Sequence, residues 1–186
     1  MDYSRVEFMI HILTGPVHSG KTTLLQRLTF ELKNERLAVD GFLSLAVKEN
    51  KTFIGYDLYD LMEEISAPFI RKKGEDRWQK IGDYYFIPKT LATAKNIILR
   101  SGEADIKVID EVGPLELKEG GLWPALTKTL ALATPDFICV IRNTILDEWL
   151  EKLKNTSSTI FDITEKDLYP KMRQYFVERF IAVEQN

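Results

Sequence analysis

The chain has 186 residues, 45% of them hydrophobic and 28% charged, with a formal net charge of −3. That length predicts one domain over 1–186 with a substantial core, and mild acidity without a basic stripe argues against nucleic-acid binding. The densest basic cluster, Arg71, Lys72 and Lys73, reads as a solvated loop, no apolar run is long enough to span a membrane, and a single cysteine, Cys139, suits a reducing, cytoplasmic compartment.

Taken in chain order, "MDYSRVEFMIHILTG" has an apolar stretch too short for a signal peptide and lacks a cleavage pattern. Its "VEFMIHIL" predicts a buried strand. "KTTLLQRLTFELKN" predicts a helix, with Leu24, Leu25, Leu28 and Leu32 at helical spacing. "GFLSLAV" and "TFIGYDLY", split by "KENK", predict a β-hairpin. The charged stretch Met62–Ile81, interrupted by Pro68 and Gly74, predicts a loop or flap. "PKTLATAKNIILRSG" predicts a helix from about Pro88 to Gly102. "IKVID" then reads as a strand, "LWPALTKTLALAT" as a helix and "DFICVI" as a strand that buries Cys139 as a small hydrophobe. "LDEWLEKLKN" follows as a helix and "STIFDI" as a strand. "YPKMRQYFVERFIAV" is an amphipathic helix with Pro170 in its first turn and Met172, Phe176 and Phe180 on one core-facing stripe. This alternation predicts an α/β fold, with a mostly parallel central sheet flanked by helices and an inserted β-hairpin at one edge. Such sheets bind ligands at the carboxyl ends of their strands.

Two motifs fall at such positions. "GPVHSGKTT" spaces Gly15 four residues from Gly20-Lys21-Thr22, between a predicted strand and a predicted helix. This is the Walker A pattern, in which backbone N–H groups and a helix N-terminus converge on a phosphate chain. The candidate binding residues are Gly15, Pro16, Val17, His18, Ser19, Gly20, Lys21, Thr22 and Thr23. Lys21 would put its charge on the β- and γ-phosphates, and Thr22 would offer its hydroxyl to magnesium. His18 is bulky for this loop. It either points outward, contacts a phosphate when protonated, or partly occludes the site. His11 reads as a satisfied core or edge histidine.

The second motif, "IKVIDEVGPLEL", ends a strand in Asp110-Glu111. The first acid is a Walker B candidate that holds magnesium together with Thr22. The second falls on the other side of the pleat, where it can orient or deprotonate a water facing the γ-phosphate. Glu116 defaults to a solvated surface role. The acid pair favours hydrolysis over transfer, since a kinase needs an acceptor pocket and no water-activating base.

Together "GPVHSGKTT", "VDGF", "IGYDL" and "VIDEVGPLEL" resemble, in order and over nearly the whole chain, the small P-loop nucleoside-triphosphatases of archaea, bacteria and animals, the cancer-related nucleoside-triphosphatases among them. The resemblance implies a RecA-like α/β fold and magnesium-dependent hydrolysis of ATP, GTP and other triphosphates. It implies nucleotide contacts along Gly15 to Thr22 and along Lys107, Val108, Ile109, Asp110, Glu111, Val112, Gly113 and Pro114. It also points to Arg142 as the charge-stabilising arginine and, less directly, to Arg71. The chain departs from the family's pattern at His18, where glycine is usual. It departs again at Leu45 and Ala46, where acids are frequent, and at Thr52 and Phe53, where the family is basic.

The combined expectation is a cytoplasmic, magnesium-dependent nucleoside-triphosphatase. Lys21, Glu111 and Arg142 would be catalytic, and Thr22 and Asp110 would hold the metal. Base preference should be broad, since the recognised contacts are to phosphates. Neither nucleic acid nor membrane is expected as a partner, and a protein partner stays open. Two alternatives remain: a nucleotide or small-molecule kinase with Met62–Ile81 as a lid, and a nucleotide-gated binding module that scarcely turns over.

Overall fold

The computed structural model describes residues 8–132 and 135–180. The strands are β1 (Ile10–Gly15), β2 (Val39–Glu49), β3 (Thr52–Asp60), β4 (Ser66–Arg71), β5 (Lys80–Ile81), β6 (Tyr84–Phe86), β7 (Ile106–Ile109), β8 (Asp136–Arg142) and β9 (Ser158–Asp162). The helices are α1 (Lys21–Asn34), α2 (Pro88–Leu99), α3 (Pro114–Leu117), α4 (Trp123–Leu130), α5 (Leu146–Lys152) and α6 (Leu168–Phe180). Parts of three predicted elements lie outside the described residues: Val6 and Glu7 of the first strand, the Ala133-Thr134 end of one helix, and the last residues of the closing helix.

The strands form one nine-stranded sheet in the order β5-β6-β4-β3-β2-β7-β8-β1-β9. From β2 to β9 all neighbours are parallel. From β2 outward to β5 they are antiparallel. The α/β architecture thus follows the expectation, but the antiparallel part is more than a hairpin. Residues expected to be a flap hold strand β4 and the start of another small hairpin. "SAPFIR" escapes detection because Pro68 and short length weaken its strand signal.

Alternation along the central strands divides the core between the two sheet faces. Ile10, Ile12, Phe42, Ile109, Phe137, Cys139 and Ile141 face α2, α4 and α5. Leu13, Leu43, Val108, Ile138 and Val140 face α1 and α6, where Leu25, Leu28, Leu32, Met172 and Phe176 meet them. Phe180 packs at the margin of that second core. Burial pushes the Cys139 thiol up to about 12, so it behaves as an inert apolar group.

Two buried polar clusters tie the layers together. Asp40 on β2 accepts from Arg100 at 3.0 Å and faces Lys107 of β7 at 3.4 Å, while Arg100 also donates to Asp60 at 2.5 Å. This network pins the antiparallel extension to the parallel core. Beside it Gly41, at φ +112, passes so close to β7 that an added Cβ would lie 2.0 Å from the Val108 carbonyl oxygen, so only glycine fits.

The second cluster lies at the opposite end of β1 from the phosphate loop. His11 Nε2 donates to Asp136 at 2.9 Å, and Arg179 and the Met9 amide donate to the same carboxylate. Burial holds His11 below its ordinary value of 6.5, with Asp136 opposing. Burial pushes Asp136 up, but bonds from His11 and Arg179 outweigh it and leave the group below 3.8. Both shifts act in the same direction. The fold favours neutral His11, a contribution complete above 6.5 and lost as pH falls toward the lower native value. It also favours ionised Asp136, a contribution lost only below 3.8. Urea midpoints should therefore decline in two acid-side stages, and His11→Asn should remove the first. A flat midpoint across 6.5 in the parent chain would refute this.

Candidate active site

β1 and α1 build the phosphate loop. Gly15, at φ +141, lies against the loop after β9. A Cβ there would come within 2.3 Å of Ile163 Cγ2, so no side chain is admissible. Gly20 caps α1 at φ +92 with no side-chain hydrogen bond, and the first turn holds no acid. The leading N–H groups of this helix are thus left for an anion. Ser19 Oγ donates to the Pro16 carbonyl at 2.8 Å, and Lys21 Nζ donates to the carbonyls of Gly15 at 3.0 Å and Pro16 at 2.5 Å. The ammonium thus lies folded over the loop. Burial lowers the Lys21 pKa, and the charges of Glu111 and Asp110 oppose that shift. Val17, His18 and Thr23 are exposed. His18 sits in the left-handed region at φ 61 and turns outward, its ring edge-on to Phe53 at 6.4 Å.

The acid pair comes from the end of β7. Asp110 is buried, with the Thr22 hydroxyl near enough to favour its ionised form, and it accepts a hydrogen bond at 3.2 Å from the Ser44 amide. The Ser44 hydroxyl also donates to the Asp110 carbonyl. Burial pushes the Asp110 carboxyl up to about 7, with Thr22 and Ser44 opposing. The strand ladder stops at Ile109, so the acids follow the strand and do not alternate across its pleat. Glu111 remains 30% exposed and accepts from Arg142 Nε, delivered by the end of β8. The Lys21 ammonium feels Glu111, Asp110 and Arg142 together. One locus at the carboxyl ends of β1, β7 and β8 therefore gathers Lys21, Thr22, Asp110, Glu111 and Arg142.

Other candidates fall elsewhere. Lys107 is 1% exposed and donates to the carbonyls of Ile97, Ile98 and Arg100 at 3.1, 2.8 and 2.9 Å. It closes the end of α2 and cannot reach a nucleotide at the loop. Val108 and Ile109 are strand residues in opposite cores, and Val112 is buried, its amide bound to Val140 O. Gly113 and Pro114 start α3, whose capping box has Glu116 accepting from the amides of Gly113 at 2.9 Å and Leu122 at 3.0 Å. Glu116 is thus a buried cap, not a solvated surface acid. Arg71 is bound to Asp57 at 2.6 Å and to the Tyr56 carbonyl at 2.7 Å, within the antiparallel extension. It is not part of the gathered set. Sequence reading missed Ser44 and Tyr56. Ser44 lies on β2, parallel to β7, and Tyr56 on β3, antiparallel to β2, and no linear pattern states either register.

The arrangement of a phosphate loop facing an acid pair has counterparts among known proteins. A family model described as NTPase matches residues 10–177, a span that holds the phosphate loop, the acid pair and Arg142. The chain belongs to this NTPase family. Relatives within it include a nucleoside-triphosphatase THEP1 of Hyperthermus butylicus, 26% identical over 174 residues and covering 92% of each chain. Another, of Thermoplasma acidophilum, is 32% identical over 173 residues, covering 85% of this chain and 89% of its own. Among solved structures, a human cancer-related nucleoside triphosphatase superposes with a TM-score of 0.69 at 25% identity, over 90% of this chain and 97% of its own. The NTPase match thus extends well beyond the loop, through β9 and into α6.

Proposed function

We propose that the chain is a magnesium-dependent nucleoside-triphosphatase that converts ATP, GTP and other triphosphates to diphosphate and phosphate, acting in the cytoplasm. The observation that carries this reading is that the Thr22 hydroxyl, the Lys21 ammonium and Glu111 all act on the buried Asp110 carboxylate at the carboxyl ends of β1 and β7. The Thr22 hydroxyl and the Asp110 carboxylate are hard oxygen donors of the kind magnesium prefers. A site with two such donors suits an ion that takes its other ligands from phosphates and water. When bound there, magnesium would neutralise charge on the β- and γ-oxygens. The names of the relatives support the reaction class, and a loop that offers its backbone amides and a lysine to phosphates fits a broad substrate range.

In this reading the chain's own groups divide the work. The free N–H groups of α1 and the loop hold the phosphates, and Lys21 leaves the loop carbonyls for the terminal phosphate oxygens. Glu111 accepts a hydrogen bond from the attacking water and takes its proton. Arg142 supplies charge where it develops on the terminal phosphoryl group, a contribution worth about 10³–10⁵ in rate where such arginines act. Its bond to Glu111 must give way first, so turnover should be slow.

Phosphate release from ATP, GTP, CTP and UTP, with magnesium and after chelation, tests the proposal. Release from several bases that chelation abolishes is the expected result. Nucleotide bound with magnesium but never cleaved would overturn it.

A further inference from the structure

A cluster of half-buried aromatic rings adjoins the phosphate loop and has no part in the hydrolysis just described. Phe53 and Tyr56 come from β3 and Tyr84 from β6. Their ring centroids are 5.0 Å apart for Phe53 and Tyr56, 6.1 Å for Phe53 and Tyr84, and 6.5 Å for Tyr56 and Tyr84. Interplanar angles of 69°, 73° and 59° mean that none is stacked face to face on another. None of the three belongs to either hydrophobic core. His18 joins them from the loop, and the Lys72 ammonium lies 5.4 Å from the Phe53 ring centroid. At its other end the cluster reaches the acids, since Tyr56 feels the charges of Glu111 and Asp110.

Position decides what such a surface could serve. With the terminal phosphate placed by the hydrolase reading, on which the inference rests, that phosphate lies by Thr22, Asp110 and Glu111. The nucleoside of the same molecule is then at the other end of the phosphate chain. The rings come from β3 and β6, on the β2 side of the acids, so in that reading they would flank the reacting phosphate and not the base attached to it. A flat heterocycle gains most from such walls, because every base has a π face and stacking on an aromatic side chain is worth about tenfold or more in affinity. The hydroxyls of Tyr56 and Tyr84 and the His18 imidazole add polar partners for its edge.

We propose that Phe53, Tyr56, Tyr84 and His18 form the site of a second ligand, a nucleoside, which accepts the terminal phosphate in place of water. The nucleoside hydroxyl oxygen forms a bond to the γ-phosphorus as the bond from that phosphorus to the β,γ-bridging oxygen breaks. The hydroxyl proton passes to the Glu111 carboxylate, and the diphosphate leaves with the electron pair. The products are a nucleoside monophosphate and a nucleoside diphosphate. Water reacts when the site is empty.

The test supplies the full chain with γ-labelled ATP, magnesium and, in turn, adenosine, guanosine, cytidine and uridine, then separates labelled phosphate from labelled monophosphate. At least one nucleoside should capture label faster than water does. Phe53→Ala should lower that capture by about tenfold and raise the nucleoside KM, while phosphate release without nucleoside stays within about twofold. That unchanged release also shows the variant is folded. Label appearing only as free phosphate with all four nucleosides, or capture indifferent to Phe53→Ala, overturns the inference alone. Absence of both products with nucleotide bound overturns the hydrolase reading as well.

Discussion

Replacing Glu111 with glutamine should lower phosphate release by about 10²–10⁴, the range a positioned general base contributes, while nucleotide affinity changes little. The substitution preserves size and removes only the negative charge and the ability to take a proton. Asp110, Thr22 and Lys21, which would grip the phosphates and metal, keep their geometry. Arg142, bound to Glu111 in this structure, loses its charged partner and is released toward the phosphates, so binding should hold or tighten. Arg142→Ala separates its two possible contributions. A fall in release shows that the guanidinium acts on the reacting phosphate, and a rise shows that it only masks the base. Single-turnover release and equilibrium binding on the same samples give both numbers. Full turnover in Glu111→Gln would remove this residue from the mechanism.

The second large effect is on stability. Lys107→Ala should cost about 3–5 kcal/mol, the loss typical of removing one partner from a buried ion pair. The change removes the ammonium from three carbonyls at the end of α2, of which only those of Ile97 and Ile98 keep a second donor, the Arg100 amide and the Thr129 hydroxyl, and it strips Asp40 of one of its two cations. Denaturant midpoints measure it, and nucleotide affinity per folded molecule should stay unchanged because Lys107 is remote from the loop. Lys107→Met with Asp40→Asn should recover part of the loss, since apolar or neutral replacement of both partners is tolerated better than orphaning one. A cost below about 1 kcal/mol for the alanine variant would mean that the network is not the clamp between core and extension that its geometry suggests.

How much of this was legible beforehand depends on the range over which each signal acts. The phosphate loop and α1 are local: Gly15, Gly20, Lys21 and the leucine stripe lie within one strand–turn–helix unit, and their spacing carries the geometry. The buried strands "IKVID" and "DFICVI" were equally plain. Lys107 misled because the family resemblance carries the whole segment from Lys107 to Pro114 over as nucleotide contacts, and the motif does not state that this lysine is buried. Only the tertiary packing of α2 against β7 turns it inward. Glu116 misled similarly, since its capping bonds depend on the short turn from Gly113 to Leu122. The strand β4 was hidden by Pro68, tolerated there because β-sheet edges and bulges admit it, and the pairing of β3 with β4 does shift register between Tyr56 and Asp57. The aromatic cluster was out of reach altogether, because Phe53 and Tyr84 meet only once β4 has separated β3 from β6.

The pairing of β1 sets a schedule for the growing chain. Its ladder partners are β8 and β9, and the phosphate loop packs on Ile163 just beyond β9. Synthesis therefore delivers the loop first and its supports last. Closing contacts between residues so far apart in sequence is slow and entropically costly, so the motif closest to the N-terminus acquires its working shape only after β9 has emerged. A chain stalled before Ser158 would carry every catalytic candidate and still lack the neighbour against which Gly15 is set.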